Sequence, residues 1–274
     1  MQQMEMKDEW LDRFLHDVLE THGYNFVNYA RPSLRRRLGR LIALDRFGNL
    51  DDFRRRVLGD ETYFRHFVEE VTVNVTEMFR DPAFYRLLRK EVLPAIAHAP
   101  LIRIWHAGCS TGEEVYSMAI LLREAGLLHR SLLYATDINP AVLENLRKGI
   151  FPLRSMKQYS ENYIQSGGTQ DFSQYYTAKY DLAKFGEDLI RRMVISSHNL
   201  ATDRSFNEFQ LILCRNVLIY FDKDLQNKAL QLFDDSLETG GFLALGTKES
   251  LRYSPIAPRY RQLPQRLRVW NKIS

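Results

Sequence analysis

Cysteine is scarce in this chain: Cys109 and Cys214 are the only two in 274 residues, and both sit in apolar, strand-like surroundings. Two such thiols make no disulfide framework. No His/Cys/Asp/Glu group has the spacing of a ligand set, so no metal is expected. Long apolar runs are missing too, and nothing approaches the roughly 18–20 residues needed to span a bilayer. The stretch from Met1 to Trp10 lacks the basic region and apolar core of a secretory leader. There is no Ser-His-Asp or Cys-His arrangement to supply a nucleophile. A motif for an exocyclic amine and a paired aromatic platform for stacking bases are both absent, as are internal repeats and low-complexity tracts. These absences predict a reducing, cytoplasmic setting, with no membrane insertion and no nucleic-acid partner.

The composition that remains, 45% hydrophobic and 26% charged, is that of a globular protein, and the length allows one large or two modest domains. A net charge of +4 is mild but unevenly spread. Arg31, Arg35, Arg36, Arg37 and Arg40 lie within fourteen positions (31–44) that hold no acidic residue. Such a cluster suits an acidic partner, and charge alone does not say whether that is nucleic acid, lipid or protein.

Two rhythms divide the chain. Up to about residue 71 apolar residues recur at helical spacing. Trp10, Phe14 and Val18 form one stripe, and Leu34, Leu38, Leu41 and Ile42 another with the arginines mostly outward. Two shorter helices follow, with Asn49 and Asp60 as N-caps. Residues 72–80 break the pattern before Asp81-Pro82, a cap and first-turn pair. Strand, turn and helix then alternate, with strands predicted at 101–106, 131–136, 192–197, 209–214 and 241–246. A closing antiparallel pair is predicted near Tyr260 and 267–270. This rhythm predicts an α/β domain with a mostly parallel sheet. Residues 150–190 do not fit it and read as an inserted subdomain.

Four strand ends carry polar motifs. The first is His106-Ala107-Gly108-Cys109-Ser110-Thr111-Gly112-Glu113-Glu114, a glycine-containing strand-to-helix turn that lets a ligand approach the backbone. It lacks the lysine of a phosphate cradle, and its two carboxylates would repel a pyrophosphate but attract an amino group. They could equally complement the helix dipole. At the second strand end Asp137 stands where α/β proteins hold ribose hydroxyls, or serves as a cap beside Asn139. Arg215-Asn216 interrupts the apolar run 211–221 at a third strand end. Asn199, after Ser197-His198, could meet an adenine edge or cap a turn. Between the halves, the run from Asn74 to Arg80 lies where a linker could reach the cleft.

In this order the motifs resemble the chemotaxis receptor methyltransferases of CheR type, over nearly the whole chain. The resemblance implies a Rossmann-like class I methyltransferase sheet with a small all-helical N-terminal domain and an inserted small β-subdomain. It divides the chain into residues 1–72, helical and receptor-facing; 73–82, a linker contributing to the active site; and 83–274, the methyltransferase domain with its insert at about 151–190. The cofactor implied is S-adenosylmethionine, leaving S-adenosylhomocysteine. Its contacts would come from Asn74, Thr76, Arg80, Glu114, Asp137, Asn199, Leu200, Asn216 and Val217. Of these, Glu114 would hold the amino group and Asp137 the ribose. Arg80 and Tyr220 would lie nearest the reacting centre. Met78-Phe79 stands where the family usually has Phe-Phe, and Val115 where it has proline. Some members grip a receptor C-terminal peptide with the inserted subdomain, and 150–190 shows no clear match to that.

The implied activity is that of a protein-glutamate O-methyltransferase acting on the cytoplasmic methylation helices of a chemoreceptor-like protein, as a monomer. A glutamate with a pKa near ~4.3 is ionised at neutral pH, so transfer needs no general base. The arginines at 31, 35, 36, 37 and 40 would bind the acidic substrate helix. The alternatives are a nucleic-acid methyltransferase of the same fold, or a non-catalytic cofactor-binding signalling module.

Overall fold

The structure is a computed structural model that describes residues 6–264 and 267–274; residues 1–5, the first half of the stretch that lacks the pattern of a secretory leader, lie outside them. Four helices come first: α1 (Asp8–His22), α2 (Arg31–Leu44), α3 (Leu50–Gly59) and α4 (Glu61–Val71). Their apolar stripes meet in one aromatic-rich core built on Phe14, Phe26, Phe53 and Phe67. The expected caps are in place. Asn49 accepts from Asp52 N, and Asp60 from Thr62 N and Tyr63 N, so the caps pair one or two of the otherwise unpaired N–H groups at the starts of α3 and α4.

Helix α5 (Pro82–Leu87) passes through a wide π turn at Leu88–Val92 into α6 (Leu93–Ile96). Pro94 lies in α6, just past this wide turn. The wider turn absorbs the missing N–H and the ring, so the helix runs on past it. Then come β1 (Ile102–Ala107), α7 (Glu113–Glu124), β2 (Ser131–Asp137) and α8 (Pro140–Lys148). The rest of the main sheet is β6 (Met193–Ser197), β7 (Phe209–Cys214), β8 (Leu237–Leu245), β9 (Tyr260–Gln262) and β10 (Val269–Lys272), with α11 (Lys223–Ser236) before β8.

The seven strands are ordered β6-β2-β1-β7-β8-β10-β9. The first five are parallel, and β10 runs antiparallel to both β8 and β9. This is the predicted sheet with its closing pair. β8 begins at Leu237 rather than near Gly241, because the Gly240-Gly241 step is taken up by a register shift against β7 between Phe209 and Leu211.

Residues 150–190 form a unit of their own. β3 (Ile150–Pro152), β4 (Tyr176–Lys179) and β5 (Leu182–Phe185) make a three-stranded antiparallel sheet in the order β3-β5-β4. α9 (Met156–Gln165) joins β3 to β4, and the short α10 (Glu187–Ile190) leads out. Phe151, Phe172 and Phe185 carry the unit's core into the layer under α7.

The helical domain is fastened to the sheet domain at two places. Ala30 N donates to Tyr220 O (2.8 Å) and Asp222 N to Asn28 O (2.8 Å), with Tyr29 packed on Phe221. On the other side Asn139 Nδ2 reaches Thr72 Oγ1 at 3.3 Å. Between these ties the two domains enclose a cleft.

Candidate active site

The sheet order turns at β1, which has β2 on one side and β7 on the other. In open α/β sheets that is where ligands sit, beyond the carboxyl ends of the strands. The cleft lies there, with about 1130 Å³ of atom-free space including its mouth.

Gly108 opens the floor of the cleft. Its φ is +79°, and a Cβ on it would lie 2.5 Å from Val217 Cγ2. Gly108 N and Cys109 N both donate to Thr136 O, at 2.8 and 2.9 Å, which ties the turn to the end of β2. Gly108→Ala should therefore bring a left-handed alanine, about 1–2 kcal/mol, and a side-chain collision. Denaturant unfolding should show at least that loss.

Asp137 is buried and holds two backbone amides, Ser110 N on Oδ2 (2.9 Å) and Asn139 N on Oδ1 (3.0 Å). The cap of α8 is Asn139, which accepts from Ala141 N, so Asp137 is left to brace the turn and face the cleft. Burial pushes its carboxyl up, against those amide bonds.

The adjacent glutamates separate by one helical step. Glu113 turns into the protein, where it accepts from Thr111 Oγ1 (2.6 Å) and sits 3.5 Å from Tyr159 OH; burial raises it. Glu114 faces the cleft. Its Oε1 accepts from His106 Nδ1 (2.9 Å) and its Oε2 from Arg215 Nη1 (3.2 Å). Burial alone would push Glu114 up, but the His106 hydrogen bond and the Arg215 charge outweigh it and hold the carboxyl below its ordinary range. An ionised carboxylate in such a cleft is a receptor for a cation.

Arg215 was visible in the sequence only as a polar interruption. Its side chain is 3% exposed. Nη2 donates to Asp81 Oδ2 (2.5 Å) and to Arg80 O (3.3 Å), and the guanidinium lies 4.2 Å from the centre of the Phe84 ring. It joins the linker to Glu114. Glu249 is a second residue that sequence reasoning missed. It accepts from Asn216 N, Ile219 N and Gly246 N and so shapes the loop after β7, where Asn216 has φ +62°. Four of the non-glycine residues with positive φ, Phe79, Asp81, Ser110 and Asn216, lie in the segments that form the cleft, the kind of strain that gathers at functional sites.

All nine expected cofactor residues line this one cleft, and Tyr220 does as well. Asn199 both faces it and uses its side-chain oxygen to cap the local turn through Ala201 N (3.0 Å). Arg80 lines the cleft with its Nη1 3.3 Å from Val75 O.

The five arginines do not form one outward face. Arg31 pairs with Asp12 at 2.7 Å and Arg35 with Asp8. The acids missing from the local sequence are supplied by α1, which lies alongside. Arg37 turns inward, bonded to Val71 O and Ser33 Oγ, and its guanidinium lies 4.8 Å from the centre of the Tyr220 ring in the cleft wall. Arg36 and Arg40 are left solvent-exposed. Among the described residues no metal-binding group is present and no helix is long and apolar enough to cross a membrane.

Two family models match the chain. "CheR methyltransferase, all-alpha domain" covers residues 9–72, and "CheR methyltransferase, SAM binding domain" covers residues 74–266. The Pseudomonas putida protein Cher3, a methyltransferase by name, is 48% identical over 92% of each chain. A chemotaxis protein methyltransferase of Listeria innocua is 31% identical over 87% of this chain and 88% of its own. That of Salmonella typhimurium is 30% identical over 91% and 86%.

Proposed function

The chain belongs to the CheR methyltransferase family, with its S-adenosylmethionine-binding, class I methyltransferase fold, and from that premise we propose that it esterifies glutamate side chains on a chemoreceptor or related signalling protein. The observation that carries this reading is the meeting of Glu114, held below the ordinary carboxylate range in the first turn of α7, with Asp137 at the end of β2, in one cleft with Arg80 and Tyr220.

S-adenosylmethionine supplies an electrophilic methyl on a sulfonium. The chain's residues would do the rest by placement. Glu114 receives the ammonium, Asp137 the ribose hydroxyls, and Asn74, Thr76, Asn199, Leu200, Asn216 and Val217 complete the walls. The close Gly108 turn and the twice-anchored Glu114 both fit that ligand. Arg80 and Tyr220 orient the incoming carboxylate, which attacks in line and needs no base because it is already charged. In this division residues 1–72 face the receptor, 73–82 line the site, and 83–274, with the insert at 151–190, hold the cofactor.

Transfer of labelled methyl to receptor cytoplasmic fragments, with bulk RNA as a parallel acceptor, tests the reaction class. Base-labile label on the receptor is the expected result; base-stable label on RNA alone would overturn it. The basic face has its own test. Arg36 and Arg40 lack an ion-pair partner among the described residues. Changing both to glutamate should raise KM for the receptor fragment roughly fivefold to tenfold, leave kcat unchanged, and lose its effect at high salt.

A further inference from the structure

We infer that His106 is a positioning residue for the ammonium end of the cofactor, acting through Glu114; this rests on the role proposed above for Glu114. β1 alternates between two layers. Ile102 and Ile104 face the core under α7, and Trp105 and Ala107 face the opposite one. His106 continues the first row at the strand's carboxyl end, where it is fully buried and polar. A histidine there without a task would burden the core. Its Nδ1 lies 2.9 Å from Glu114 Oε1, and its Nε2 has no hydrogen-bond partner among the described residues. An ionised carboxylate only accepts, so Nδ1 carries the hydrogen.

Glu114 is thereby held from two sides, one oxygen by His106 and the other by Arg215. Each oxygen keeps a lone pair for a cation in the cleft. Without His106 the carboxylate would be free to rotate and offer both oxygens to Arg215, the fork geometry that a guanidinium prefers. It would then turn away from the cleft. Arg215 anchors the group, and His106 aims it.

The experiment compares two ligands by calorimetry. S-adenosylhomocysteine carries the amino-acid ammonium; 5′-methylthioadenosine keeps the adenosine and sulfur but lacks it. His106→Leu, which fills the space without a donor, should weaken S-adenosylhomocysteine about tenfold and leave methylthioadenosine unchanged, the worth of one hydrogen bond to a charged group. His106→Asn, whose amide nitrogen can stand where Nδ1 stood, should restore most of the loss and supplies a second variant should the leucine fail to fold. Equal weakening of both ligands, no change in either, or failure of asparagine to rescue would overturn the assignment. Glu114→Gln is the control. If it does not separate the two ligands, the role of Glu114 itself is wrong, an outcome distinct from failure of the His106 variants alone.

Discussion

Replacing Arg80 by alanine should lower kcat/KM for methyl transfer by about 10²–10³-fold, the usual cost of removing one preorganised charged donor from a reacting centre. Thermal unfolding should move by no more than about 2 °C, because few contacts are lost. Among the described residues the side chain's one hydrogen bond is the 3.3 Å contact with Val75 O, and it otherwise lines the cleft. Its backbone carbonyl, held by Arg215 Nη2, is untouched by the substitution. The measurement is a pair of steady-state series, one in each substrate, beside a melting curve. A variant that fails to fold would refute the assignment of Arg80 to chemistry, and one that keeps full activity would leave Tyr220 and Arg37 to hold the carboxylate.

Arg215→Leu should do the opposite. Here stability falls first, by about 3–5 kcal/mol, because removing one member of a buried ionic group strands the others. Asp81 and Glu114 would lose the cation between them, and Glu114 is mostly buried. For a chain of this size the melting temperature should drop by roughly 10 °C. Lysine should not rescue it, since one ammonium cannot offer the two forks that reach Asp81 and Glu114 separately. The effect carries a pH signature. Glu114 sits below the ordinary carboxylate range, so its contribution is present above about pH 4.3 and is lost as pH falls through its folded value. Removing Arg215 raises that folded value toward the unfolded one or past it, so the acid-linked loss shrinks and the stability gap between the two proteins should narrow as pH falls. Urea titrations at several pH values would show it, and parallel curves for the two proteins would sink the account.

Much of this was legible in the residues, for physical reasons that also explain the exceptions. Helical and strand rhythm is local, so α1 to α4, the parallel strands and the antiparallel closing pair could be read from spacing, as could the insert at 150–190. Gathering of the nine expected cofactor residues and Tyr220 into one cleft follows from a sheet that brings its strand ends together beside the linker. What failed was non-local. Arg31 and Arg35 looked uncompensated because Asp12 and Asp8 are distant in sequence and adjacent only across two packed helices. Glu113 and Glu114 are equivalent by spacing alone; the family resemblance singles out Glu114, and the helix rotation is what turns that one to the cleft. His106 and Glu249 gave no sequence signal, because a buried hydrogen bond leaves no periodicity.

The fastening of Asn28 and Tyr29 to residues 220–222 has a consequence in time. Asn28 Nδ2 bonds Asp222 Oδ2 across 194 residues of chain, and the cleft wall includes both Tyr29 and Phe221. At translation speeds of about 5–20 residues per second, its first and last pieces leave the ribosome some 10–40 s apart. The helical domain, closed on its own aromatic core, can fold during that wait. The cleft comes into being only after the loop beyond β7 has been made, so the pocket is finished well after the helical domain that forms one of its walls.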